Sequence, residues 1–182
     1  MYVSAGADAV SAVIPWTDPN PCHESTYHGV SVLSTGLDWV QAGWFKTYGA
    51  SVRGYCEFEG PISAFIDYPI TAADHAYQMK LLPGLQNNYW QCFNGSTLEY
   101  SQNATAVGFT WGYYVDAGGD ATGVHDQIGK MAPAALLFYG MQYRNKRTQA
   151  WAVMNVTLLG TTFPYGQAKP AAGQLQVWTN AH

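Results

Sequence analysis

Hydrophobic and polar residues alternate with period two along much of the chain, and the spacing of an amphipathic helix is hard to find. The alternation predicts strands in "GVSVLST", "WVQAGWFK", "VRGYCEFE", "AYQMKLL", "NYWQCFN", "LEYSQN", "TAVGFTWGYYV", "ALLFYGMQY", "WAVMNVTLLG" and "QLQVWTN". Between them lie "TDPNPC", "GPISA", "LPGLQNN", "NGST" and "DAGGDATG", rich in the residues that favour turns. Short strands so spaced predict an all-β fold, an antiparallel β-sandwich or jelly roll whose two sheets pack inner face to inner face. The stretch "AADHAYQMKLL" leaves a short helix open as an alternative. With no internal repeat and no low-complexity linker, one domain spanning residues 1–182 is expected.

Successive side chains on a strand point to opposite faces, so the same pattern sorts residues by side. In "VRGYCEFE" the set Val52, Cys56 and Phe58 reads as core, which turns Arg53, Tyr55, Glu57 and Glu59 the other way. In "WVQAGWFK" both faces carry a tryptophan. If Val40, Ala42 and Trp44 are core, then Trp39 and Gln41 join Tyr55, Glu57 and Glu59 on one polar, aromatic face. Such a face suits sugar recognition, with Trp39 and Tyr55 as stacking platforms and Glu59 among the groups that take hydroxyls. Packing alone also explains aromatics in strands.

Composition narrows the setting. Charged residues are 11% and aromatics 15% of the chain, so solubility rests on Ser, Thr, Asn, Gln and Tyr. That balance fits an extracellular or virion surface protein. Net charge is −4, and the eight basic residues cluster only at Arg144, Lys146 and Arg147, which argues against nucleic acid as a partner. No run is long and apolar enough for a membrane span. The opening "MYVSAGADAVSAVIPW" lacks the basic and unbroken apolar regions of a signal peptide.

Cys22, Cys56 and Cys92 form no CxxC, which leaves two readings open: one disulfide with one thiol, or three buried thiols. Sequons at Asn94, Asn103 and Asn155 fit a secreted protein, and equally a set of Thr-rich strands. The histidines at 23, 28, 75, 125 and 182 include an HxxxxH, which is not a metal spacing, so loop histidines are expected. Asp116 and Asp120 of "DAGGDATG" lack the rest of a calcium loop, and no GxSxG is present. Neither a metal nor another cofactor is expected.

Catalysis needs paired groups. Glu57 and Glu59 share a strand face about 7 Å apart, a separation at which two carboxylates can flank a glycosidic bond. A longer likeness runs through "HGVSVLSTGLDWVQAGWFKTYG", "YCEFEG" and "GGDATGVHDQIGKM", from Val30 to Met131. It resembles the concanavalin A-like sandwich of the glutamic peptidase and neprosin-like group. The resemblance implies that Gln41 of "VQAG" matches the glutamine that orients the attacking water and helps hold the oxyanion. It also implies a glutamate as general base, and the best match is Asp120, one methylene shorter. Glu57, already on the face of Gln41, is the substitute.

Because that glutamate is replaced, the leading expectation is a non-enzymatic extracellular or virion surface module. It would act through self-assembly, contacts with other surface subunits, or glycans. Two alternatives stand beside it: a glutamic-peptidase-like or other secreted hydrolase using Gln41 with Asp120 or Glu57, and a lectin-like carbohydrate-binding module.

Overall fold

A computed structural model describes residues 2–19, 21, 24–36, 38–82, 88–122, 127, 130–131, 134–158 and 165–180. Among them fourteen strands hydrogen-bond into one continuous sheet. In chain order they are β1 (Tyr2–Ile14), β2 (Ser25–Leu33), β3 (Trp39–Thr47), β4 (Arg53–Glu59), β5 (Ala64–Pro69), β6 (His75–Leu82), β7 (Tyr89–Asn94) and β8 (Thr97–Asn103). After the single helical turn α1 (Ala104–Val107) come β9 (Gly112–Ala121), β10 (Lys130–Met131), β11 (Leu136–Asn145), β12 (Trp151–Val153), β13 (Tyr165–Ala168) and β14 (Leu175–Thr179).

The sheet folds over on itself because β1 serves both layers. Its first residues, Tyr2 to Ala7, add to β9 and complete the layer β5-β4-β3-β2-β9. Ala9 to Ile14 pair with β6, while Ala7 to Val13 pair with β11. Register shifts along β1 mark where the strand turns from one layer into the other. From β6 the second layer continues through β7 to β8. Face to face, β2 and β3 lie on β6, β3 lies on β7, and β4 lies on β8.

Between the layers the alternation is read out directly. Val30, Val32, Val40, Ala42, Trp44 and Phe58 come from one side, and Tyr77, Met79, Leu81, Trp90, Phe138 and Met141 from the other, all essentially without exposure. The buried indoles keep their hydrogen bonds: Trp44 donates to the Pro15 carbonyl at 3.2 Å and Trp90 to that of Phe109 at 2.8 Å. Cys56 of β4 and Cys92 of β7 form a disulfide across the core, which decides the cysteine question for that pair. Cys22 lies outside the described residues.

Arg144 is not part of a basic surface cluster. It is buried against Asp8 at 2.7 Å, donates to the Leu81 carbonyl at 2.9 Å, and so ties β11 to β1 and β6. Gln149 donates to the other oxygen of Asp8 at 2.9 Å, so both carboxylate oxygens have a partner.

Several elements depart from the sequence reading. The helix alternative for "AADHAYQMKLL" gives way to β6, because Tyr77, Met79 and Leu81 are buried at period two. The predicted strand "TAVGFTWGYYV" is broken: Asn103 caps α1 by accepting from the Thr105 N–H, Gly108 ends it in a left-handed conformation, and β9 begins at Gly112. "DAGGDATG", read as a turn, lies mostly inside β9. His28 is no loop residue. It is a core residue of β2, stacked on Trp44 with ring centroids 4.1 Å apart, and burial lowers its pKa to about 3.

Candidate active site

The outer face of the layer β5-β4-β3-β2-β9 carries an open cleft of about 660 Å³. Its walls are side chains at alternate positions of these strands: Tyr27, Ser31 and Leu33 from β2, Trp39 and Gln41 from β3, Glu57 from β4, Phe65 from β5, and Asp116 and Asp120 from β9. Val40, Ala42 and Trp44 are core, so Trp39 and Gln41 do share a face with Tyr55, Glu57 and Glu59.

Register sets the geometry. One row across the sheet reads Asp116, Ser31, Gln41, Glu57, Phe65, each residue directly opposite the next. Gln41 and Glu57 are therefore immediate neighbours. Asp116 stands on the other side of Gln41, two strands away, with only the small Ser31 between them. At the usual spacing of adjacent strands, the Cα atoms of Asp116 and Gln41 are about 10 Å apart. Ser31, between them, has the smallest side chain of the row.

The next row reads Gly118, Gly29, Gly43, Tyr55. With three glycines side by side, the Tyr55 side chain reaches as far as Gly29, two strands away. Its hydroxyl comes 2.6 Å from the point a Cβ on Gly29 would occupy, and Gln41 Cγ comes within 3.1 Å of the same point. Phe65 stacks on Tyr55 at 5.6 Å, while Tyr27 and Phe45 meet it edge-on at 5.7 and 6.0 Å. Tyr55 is thus fully buried and offers no open ring to a sugar, contrary to its expected part as a stacking platform.

Asp120 belongs to a further row, opposite Tyr27. Four residues along and two strands across, it lies about 16 Å from Gln41 between Cα atoms. Of the two carboxylates expected beside Gln41, Glu57 is the one the fold brings there. Glu57 also has its pKa raised by burial; a hydrogen bond from Trp39 works against the shift and the charge of Glu59 adds to it. Asp116 enters the sequence reading only with Asp120, in a stretch that lacks the rest of a calcium loop. Alternation in "YYVDAGGD" does place Tyr114, Asp116, Gly118 and Asp120 on one face, but only once the glycine pair is read as strand rather than turn.

No family model matches the sequence, and no curated protein matches it. Solved structures do. The chain has the glutamic peptidase fold. Crystal structures of scytalido-glutamic peptidase, one with a peptide based transition state analog and one with a transition state analog inhibitor, each align at a TM-score of 0.64 and 10% identity. The alignments cover 97% of this chain and 94% of the peptidase. The concanavalin A-like sandwich expected from "VQAG" and "YCEFEG" is thereby borne out as a fold. The expectation of a non-enzymatic surface module is corrected. The two solved structures named above, which align over nearly the whole of this chain, are of a peptidase holding transition-state analogues, and an open cleft in this chain places a glutamine between two carboxylates. Nothing in these comparisons supports the structural, virion or carbohydrate-binding readings.

Proposed function

We propose that the chain is a hydrolase of peptide bonds, with Gln41 and the carboxylates on either side of it as the working groups. The observation that carries this reading is the row Asp116, Ser31, Gln41, Glu57 at the floor of an open cleft. A scissile carbonyl lying over Ser31 has the Gln41 carboxamide on one side and the Asp116 carboxylate on the other. Asp116 takes a proton from the attacking water as its oxygen bonds to the carbonyl carbon, and the Gln41 N–H groups hold the oxyanion that forms. The departing nitrogen extends from that carbonyl across Gln41 toward Glu57, which burial keeps protonated to higher pH and which gives it a proton as the C–N bond breaks. Proton exchange with water then resets the two carboxyl groups.

Immediate cross-strand neighbours leave too little room between them for a substrate group, which is why Asp116 rather than Glu57 is assigned the base. The alkaline limb follows from Glu57. Activity falls as pH rises through its raised pKa, because the proton for the leaving group is lost.

The test is peptide cleavage followed by mass spectrometry, on a mixture of synthetic peptides between pH 3 and pH 8. Gln41→Ala, Asp116→Asn and Glu57→Gln should each lower kcat at least about 100-fold, the usual scale for losing an oxyanion donor or an acid or base group. Full activity in Gln41→Ala sinks the reading. Loss in Asp120→Asn with full activity in Asp116→Asn moves the base to Asp120.

A further inference from the structure

Tyr55 carries a hydroxyl that its surroundings do not explain. The ring is held by Phe65, Tyr27 and Phe45, contacts that a phenylalanine would make equally well. The oxygen itself is buried and makes no hydrogen bond among the described residues, an unfavourable state for a polar atom. It is also placed with care. Gly29 has no side chain, so the Tyr55 oxygen and the Gln41 side chain converge on the spot that a Cβ there would occupy.

We infer that Tyr55 is a positioning residue, whose hydroxyl fixes the direction of the Gln41 carboxamide when substrate enters the cleft. The inference rests on the hydrolase reading above. A carboxamide has two orientations related by a half-turn, one presenting N–H donors to a bound carbonyl and the other presenting its oxygen. Only the first can hold an oxyanion. A phenol that donates to Gln41 Oε1 selects it, leaving both Nε2 hydrogens on the far side of the carboxamide toward Ser31 and the substrate. The phenol stays a donor throughout the working range, because burial first, and then the charges of Glu57 and Asp120 among its neighbours, keep it from ionising.

Tyr55→Phe tests this with little change of shape. The expected result is a kcat roughly 10 to 100 times lower, as for a misplacement of about 1 Å in a catalytic group. KM should be unchanged, and the melting temperature unchanged or raised, since a buried hydroxyl without a partner is removed. In a Gln41→Ala background the same substitution should cost nothing further. An unaltered kcat in Tyr55→Phe overturns the inference, and so does a fall in kcat that comes with a lower melting temperature, which would mark the hydroxyl as part of the packing. The two readings fail separately. Full activity in Gln41→Ala defeats the hydrolase assignment, whereas loss in Gln41→Ala with normal turnover in Tyr55→Phe defeats only the positioning role.

Discussion

Acid should weaken this fold through His28, and the size of the effect can be worked out. His28 is sealed in the core between Trp44 and Phe138, with centroid separations of 4.1 and 6.2 Å, and burial lowers its pKa from 6.5 to about 3. Between those values the unfolded chain binds a proton that the native protein refuses. Stability therefore falls as pH drops through that window, and the contribution is intact above about pH 7. Each pH unit is worth about 1.4 kcal/mol, so at pH 4.5 the loss from this one residue is about 3 kcal/mol. For a chain of 182 residues that corresponds to roughly 5–10 °C in melting temperature.

The perturbation is His28→Phe, which keeps a ring against Trp44 and removes the titration. Melting curves of both proteins at pH 7.5 and pH 4.5 give the comparison. Whatever the substitution costs at pH 7.5, acidification should destabilise the variant by about 3 kcal/mol less than the wild type. Acid titration of the carboxylates is common to both proteins and cancels in the difference. Curves that fall in parallel would refute the reasoning, since they would mean that His28 accepts its proton inside the folded core.

Three other outcomes are expected. Reduction of the Cys56–Cys92 bridge, or Cys56→Ser with Cys92→Ser, should cost about 4 kcal/mol from the 36-residue separation it spans, read as a lower melting temperature in thermal denaturation. Gly43→Ala should destabilise more than Gly29→Ala. The new methyl at 43 would strike the His28 backbone carbonyl, whereas at 29 it would meet the tip of Tyr55, so urea midpoints should rank wild type above Gly29→Ala above Gly43→Ala. Glu57→Gln should be more stable than the wild type at pH 7 and no different at pH 3. A raised native pKa is a cost that is absent below the unfolded pKa and fully present above the native one, and melts at the two pH values check the sign.

Much of the sandwich was legible because its faces follow a two-residue period. Val40, Ala42 and Trp44 went inward together, Cys56 and Phe58 did the same, and Gln41 and Glu57 came out on the other side. What alternation cannot show is a row running across strands. Tyr55 has the sequence position of an exposed ring, yet it is buried, because Gly29 two strands away leaves room for its tip and Tyr27, Phe45 and Phe65 from three other strands close over it. The same limit hid Asp116. Its strand contains Gly118 and Gly119, whose intrinsic preference for turns outweighed the period in a local reading, although both lie within the β9 ladder against β2. β1 was missed for a related reason: "YVSAGADAVSAVI" is rich in small residues and pairs on more than one side along its length, so it shows no clean alternation.

That first strand also governs the order in which the molecule can be assembled. β1 leaves the ribosome before any of its partners, and β11, which pairs with Ala7 to Val13, ends at Asn145. At about 5–20 residues per second, β1 waits roughly 7–30 s for the strand that covers its flank. β6 and β9 emerge within that interval, so only the flank that faces β11 stays open to its end, on an Ala- and Val-rich segment whose single charge is Asp8. The acid that later anchors Arg144 is thus also the one charge on the strand while it waits, the kind of residue that discourages edge-to-edge pairing.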